Sequence, residues 1–265
     1  MSNSVTPDLL ALDFDGVLCD GRAEYLESSR RVYQEIWNNS DLEVETWASR
    51  FYELRSIIET GWEMPLLLRA LVLGISDEEI LENWSSLVPT LLEKENLNQQ
   101  TLMQLLDEKR DRWIQEDPQD WLAHHHFYPN IISRLQHILA SPKPPVYIIT
   151  TKEGRFARTL LEQQGIKISP DQIMGKECHQ PKTETLINLL STDGKLSIWF
   201  VEDRLKTLLS VQKQPKLASV KLFLASWGYN TARSRSLAID HPQIHLLSLE
   251  QFQQDFSQWK RNITK

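Results

Sequence analysis

Two aspartates two residues apart, Asp13 and Asp15, follow the apolar run Leu9–Leu12 and precede Gly16 and Val17. Carboxylates at that spacing can divide their work. One can be ionised, metal-bound and nucleophilic while the other carries a proton. Gly16 lets the backbone turn sharply beside them. Three later positions could serve the same chemistry. Thr150 ends a second apolar run and is followed by Thr151; a hydroxyl and the next amide there can hold a phosphate oxygen. Lys182 stands just before a helix predicted to begin near Thr183, where an ammonium can neutralise a transferring phosphoryl group. Lys176 competes for that role, and Lys182 is preferred because it abuts the helix. Glu202 and Asp203 end a third apolar run, and a carboxylate there can bind Mg²⁺, which takes hard oxygen ligands. Taken singly, these are an acidic turn, a strand-end threonine, a surface lysine and another acidic turn. Their order, each at a strand end or helix start, points to one phosphoryl-transfer site.

The elements that must position them alternate. Leu9–Leu12, Val146–Ile149, residues 198–201, residues 220–225 and Ile244–Leu247 are short, nearly continuous apolar runs. Such runs predict strands buried on both faces of a parallel sheet. Between them, residues 155–164 and 183–190 carry helical spacing, and Gly165 stops the first. Strand–helix alternation predicts a doubly wound α/β fold, whose ligands bind outside the carboxyl ends of the strands. From Arg22 to Phe127 the texture changes. Residues 25–37, 47–58, 64–73, 77–92 and 101–115 all read as helix, and no strand is expected. The expected division is a core of residues 1–21 and 128–265 with a helical insertion of residues 22–127.

With those positions in view, the chain resembles the haloacid dehalogenase superfamily. DFDGV is similar to its first motif, YIITTK to the second, QPKTETL to the third and WFVEDR to the fourth. FYPNI resembles the segment by which the chain re-enters the core, and LASWGYNT the strand and loop after the fourth motif. The resemblance implies a Rossmann-like core with a helical cap of the family's first type, inserted after motif one, and it looks closest to a cyanobacterial and plant subgroup. It implies that Asp13 is the nucleophile and forms an aspartyl-phosphate, and that Asp15 protonates the leaving oxygen and then activates water. Mg²⁺ would be held by Asp13, the Asp15 carbonyl and Asp203, and the phosphoryl oxygens by Thr150, Thr151 and Lys182. An acid at position 15 also separates phosphate esters from carbon–halogen substrates, whose cleavage needs no such proton. Two departures stand out: the fourth motif reads Glu202-Asp203 with Thr207 where a later acid is usual, and Thr183 replaces a frequent proline.

The implied activity is a Mg²⁺-dependent phosphatase of a small phosphorylated metabolite, with the insertion choosing the substrate. Rivals are a phosphomutase on the same core and a protein of this fold that acts by binding a partner. The formal charge of −7 sets nucleic acid aside and argues against an anionic membrane surface. The most apolar helical stretch, residues 64–73, is interrupted by Arg69 and is too short to span a bilayer. Cys19 and Cys178 form no CxxC pair, and residues 1–16 lack a signal-peptide pattern, so a cytoplasmic protein is expected. No protein partner is indicated. Trp37, Trp47, Trp62, Trp84, Trp113 and Trp121 of the insertion read as core aromatics, His124, His125 and His126 as solvated, Arg22 as a surface residue and Cys19 as a small filler.

Overall fold

The computed structural model describes residues 6–38, 42–191 and 196–259. The chain divides into two compact units, Gly21–His126 and a second built from Met1–Asp20 and Phe127–Lys265. Among the described residues no helix is long and apolar enough to cross a membrane.

The first unit is helical: α1 (Arg22–Trp37), α2 (Glu45–Leu54), α3 (Met64–Val72), α4 (Asp77–Lys94), α5 (Gln99–Glu116) and α6 (Pro118–Ala123). Caps mark the starts. The Ser76 side chain accepts the Glu79 N–H, and Asp77, Glu78 and Glu79 place negative charge on the first turn of α4. Asp117 caps α6, which the sequence reading missed; Pro118 begins that helix, where its missing N–H costs nothing. The unit buries charge in matched sets. Arg110 donates to both oxygens of Glu24 at 2.7 and 3.3 Å, and Ser28 donates to the same carboxylate at 2.6 Å. Glu95 accepts from the Trp37 indole at 2.6 Å and from Arg69 at 2.9 Å. Trp84 donates to Glu63 at 2.8 Å. Trp84, Trp113 and Trp121 are buried, whereas Trp37, Trp47 and Trp62 are half-buried. His125 corrects the expectation of a solvated run. It is buried, its Nδ1 lies 3.1 Å from the Trp121 carbonyl, and its ring packs edge-on against that indole. His126 is exposed.

The second unit carries strands β1 (Leu9–Leu12) and β2 (Cys19–Asp20), β3 (His126–Phe127) spans the boundary in the chain, and β4 (Val146–Ile149), β5 (Ile173–Met174), β6 (Ile198–Glu202), β7 (Lys221–Ala225) and β8 (Ile244–Leu247) follow. The two-residue β3 falls at the end of a stretch where no strand was expected. Six strands form one sheet in the order β5-β4-β1-β6-β7-β8, every pair parallel. Helices α7 (Ile131–Leu139), α8 (Gly154–Gln163), α9 (Lys182–Ser191), α10 (Leu205–Gln212), α11 (Ala232–Asp240) and α12 (Leu249–Phe252) complete the unit. The architecture is a Rossmann-like α/β sheet with helices on both faces, as the strand–helix alternation predicts. Side chains alternate across it. Ile198, Phe200, Leu222 and Leu224 pack with Leu186, Leu208 and Val211. Trp199 and Phe223 face the other way, onto Trp259, which also stacks on Phe252. The chain moves outward from β1 through β4 to β5, then returns to β6 on the other side of β1. In open α/β sheets such a reversal in strand order is where ligands bind, outside the carboxyl ends of the central strands.

Candidate active site

β1 lies between β4 and β6, with Leu12 in register with Ile148 and Val201. The residues that follow these three strands therefore come together at one edge. The Asp13 N–H still donates to the Val201 carbonyl at 2.9 Å, so the first carboxylate leaves the sheet at a fixed height. The chain then turns tightly: the Phe14 carbonyl accepts from Leu18 and Cys19, and the Gly16 N–H donates to the Cys19 carbonyl at 2.8 Å. Gly16 has φ +84°, and a side chain there would collide with the Asp203 carboxylate. Gly228 closes the other side, because a Cβ on it would strike Asp203 and the Gly16 carbonyl.

Asp13, Glu202 and Asp203 are all buried, and one oxygen from each lies within 4.8 Å of the others. Lys182 is the first residue of α9 rather than the residue before it. Its ammonium lies 2.8 Å from Asp13 Oδ1 and 2.7 Å from Glu202 Oε2. The other Glu202 oxygen accepts the Arg204 N–H at 3.0 Å. Asp203 is oriented by the Tyr229 N–H, 2.7 Å from Oδ2. Asn230 donates to the Asp203 carbonyl at 3.0 Å and to the Ala225 carbonyl at 2.8 Å. Asp15 lies beside Lys152, with Nζ 3.4 Å from Oδ1.

The electrostatics follow from crowding without water. Burial first, then the Glu202 carboxylate, pushes the Asp13 carboxyl up to about 7, against the pull of Lys182. Burial, Glu202 and Asp13 raise Asp203 well above the usual carboxylate range. Burial alone would lower Lys182, but Asp13 and Glu202 outweigh it and hold the ammonium above its ordinary value. When all are ionised, four carboxylates (Asp13, Asp15, Glu202 and Asp203) face two ammonium groups (Lys152 and Lys182), which leaves two negative charges. That surplus and an all-oxygen donor set fit one hard divalent cation such as Mg²⁺.

Thr150 directly follows β4; its hydroxyl accepts the Lys152 N–H at 3.1 Å, and its own N–H donates to the Met174 carbonyl. No hydrogen bond among the described residues joins Thr150 to the carboxylates. Thr151 is exposed at the same edge. Lys176 is exposed in a short 3₁₀ turn, and the ion pair to Asp13 is made by Lys182. Thr207 lies in the first turn of α10, which holds no acid. Cys19 is fully buried and Arg22 half-buried, its guanidinium over the Tyr52 ring. Three participants were not singled out from the sequence. Lys152 belongs to the YIITTK string, and Tyr229 and Asn230 to WGYNT, where polar residues just past an apolar strand were the available signal.

No family model matches the sequence, and no curated protein does. Solved structures do match. A protein of Lactobacillus delbrueckii subsp. bulgaricus assigned as a phosphoglycolate phosphatase superposes with a TM-score of 0.60 at 11% identity, over 94% of this chain and 98% of its own. A haloacid dehalogenase-like hydrolase assigned in Bacteroides fragilis gives 0.56 at 18% identity, over 93% and 99%. A haloacid dehalogenase-like family hydrolase of Streptococcus pneumoniae gives 0.55 at 16% identity, over 91% and 94%. The chain has the haloacid dehalogenase-like fold. Within that fold the Asp13 loop, Lys182 and Asp203 occupy the carboxyl edge of the sheet, beside the reversal in strand order.

Proposed function

We propose that this chain is a Mg²⁺-dependent phosphatase that hydrolyses a small phosphorylated metabolite through an aspartyl-phosphate on Asp13. The observation that carries the reading is the pair of buried carboxylates Asp13 and Asp203 with the Lys182 ammonium on Asp13, and Asp15 two residues from the first. Asp13 attacks phosphorus in line with the departing ester oxygen, and Asp15 gives that oxygen its proton. Asp15 then takes a proton from the water that cleaves the acyl phosphate, which returns both carboxylates to their starting states. Lys182 holds a positive charge where the transferring group gathers negative charge, and Glu202 orients it. Asp13, the Asp15 carbonyl and Asp203 would hold the cation, which supplies charge neutralisation of the phosphoryl oxygens. Thr150 and Thr151 would bind the same oxygens.

Substrate choice is assigned to residues 22–127, since the core groups supply only phosphate chemistry. The assignment of a cytoplasmic setting rests on the two cysteines, Cys19 buried and Cys178 exposed, which form no disulfide. A panel of phosphorylated metabolites assayed for phosphate release with Mg²⁺ and with chelator tests the reading. Release that requires Mg²⁺ is expected. Isomer exchange without release would favour a mutase, and no turnover of any ester would favour a partner-binding protein.

A further inference from the structure

Lys182 is committed to Asp13 and Glu202, so the charge that faces Asp15 must come from elsewhere. It comes from Lys152, whose side chain is only 8% exposed and whose ammonium lies 3.4 Å from Asp15 Oδ1. A lysine that leaves water to this extent is rarely found without a partner that uses it. The backbone beneath it is pinned from two sides. The Lys152 N–H donates to the Thr150 hydroxyl at 3.1 Å, and its carbonyl accepts the Lys176 N–H at 2.9 Å. Asp15 is the less enclosed of the two loop aspartates, with its side chain 14% exposed against 8% for Asp13. Asp13 is also held by its own ion pair and by the Phe14 N–H.

We propose that Lys152 is a positioning residue for Asp15, holding its carboxyl group in the orientation from which it exchanges a proton with the ester oxygen. The proposal rests on the phosphatase reading and deepens it: each aspartate of the first loop has its own lysine, Lys182 for the nucleophile and Lys152 for the acid–base. Misplacing a reacting group by about 1 Å can cost about 100-fold in rate. The cost should fall on the step that needs the proton.

The test uses 4-nitrophenyl phosphate, whose leaving group needs little protonation, and ethyl phosphate, whose leaving group needs much. Lys152→Gln is expected to lower kcat on ethyl phosphate about 100-fold and to lower it far less on the aryl ester. Lys152→Arg should recover part of the loss, and Lys152→Gln should add nothing in an Asp15→Asn background. An equal fall on both esters, or a raised KM with unchanged kcat, overturns the proposal. Crystal structures of the wild type and Lys152→Gln give an independent readout: a changed Asp15 side-chain rotamer supports the assignment, and an unchanged one overturns it. A wild-type chain that cleaves neither these esters nor any member of the metabolite panel with Mg²⁺ sinks the phosphatase reading, and the rotamer comparison still decides what Lys152 does.

Discussion

The two units bury charge under opposite rules. In the helical unit the buried carboxylates Glu24 and Glu63 and the half-buried Glu95 each meet their own donors: Glu24 has Arg110 and Ser28, Glu95 has Arg69 and the Trp37 indole, and Glu63 has Trp84 and Thr60. At the sheet edge of the α/β unit the carboxylates Asp13, Asp15, Glu202 and Asp203 outnumber the ammonium groups of Lys152 and Lys182, and three of them are packed against one another. A matched set repays its desolvation inside the fold, whereas a surplus is retained at a cost in stability that only a ligand can offset. The contrast separates an ion pair that holds helices together from a cluster built to receive something.

The largest expected effect breaks the surplus. Asp13→Asn should abolish turnover of every ester while raising the melting temperature of metal-free protein near pH 8, because one crowded carboxylate is gone. Calorimetry and phosphate release check both, and a variant that loses stability along with activity would place Asp13 among the matched pairs. Arg110→Met attacks the matched rule instead. It strands a carboxylate that is fully buried and should cost about 3–5 kcal/mol by urea unfolding, with Mg²⁺ affinity unchanged.

The pH dependence of the two units should differ in sign. Asp13 is raised in the folded state to about 7 from 3.8, so the folded chain binds the extra proton between those values. Its contribution is present below pH 3.8 and is lost as pH rises through about 7. The metal-free melting temperature should therefore drop across that window, and the gain on adding Mg²⁺ should grow from pH 5 to pH 8. Glu95 behaves the other way. Burial would raise it, but the Trp37 indole and Arg69 hold it below the usual value, so its contribution is lost as pH falls into the carboxylate range. A Mg²⁺ gain independent of pH would contradict the surplus. The smallest effect expected is that of Trp84→Phe, which removes one donor to Glu63 and should cost about 1–2 kcal/mol with no change in turnover.

Much of this contrast could be read from residue order. Asp13, Thr150 and Glu202-Asp203 each stop an apolar run, and Lys182 abuts an amphipathic helix, so their types and positions assign them to one sheet edge. The paired charges of the helical unit could not be read, since Glu24 and Arg110 are 86 residues apart and look like ordinary helix-surface residues. Lys152 was hidden for a related reason: its importance comes from its distance to Asp15, 137 residues away. Tyr229 acts through a backbone N–H, which carries no side-chain signature. β5 is two residues long, too short to show a period, and α6 starts at a proline that reads as a breaker. His125 misled because three adjacent histidines look solvated when only one is turned inward.

The Tyr128 N–H donates to the Leu18 carbonyl at 3.1 Å, so within the α/β unit the chain returns almost to the point it left. The 106 residues of Gly21–His126 thus enter through a gap one hydrogen bond wide. In chain-statistical terms they are a loop whose closure, were it flexible, would cost about 4 kcal/mol beyond a constant, and doubling its length would add only about 0.6 kcal/mol. Exchange of the whole helical unit is therefore nearly free in loop entropy, whatever the length of its replacement. The same gap lets β1 and β4 find each other without waiting on the detailed order of the residues between them. A lineage could try many insertions on this scaffold and keep the carboxylate cluster at the sheet edge intact each time.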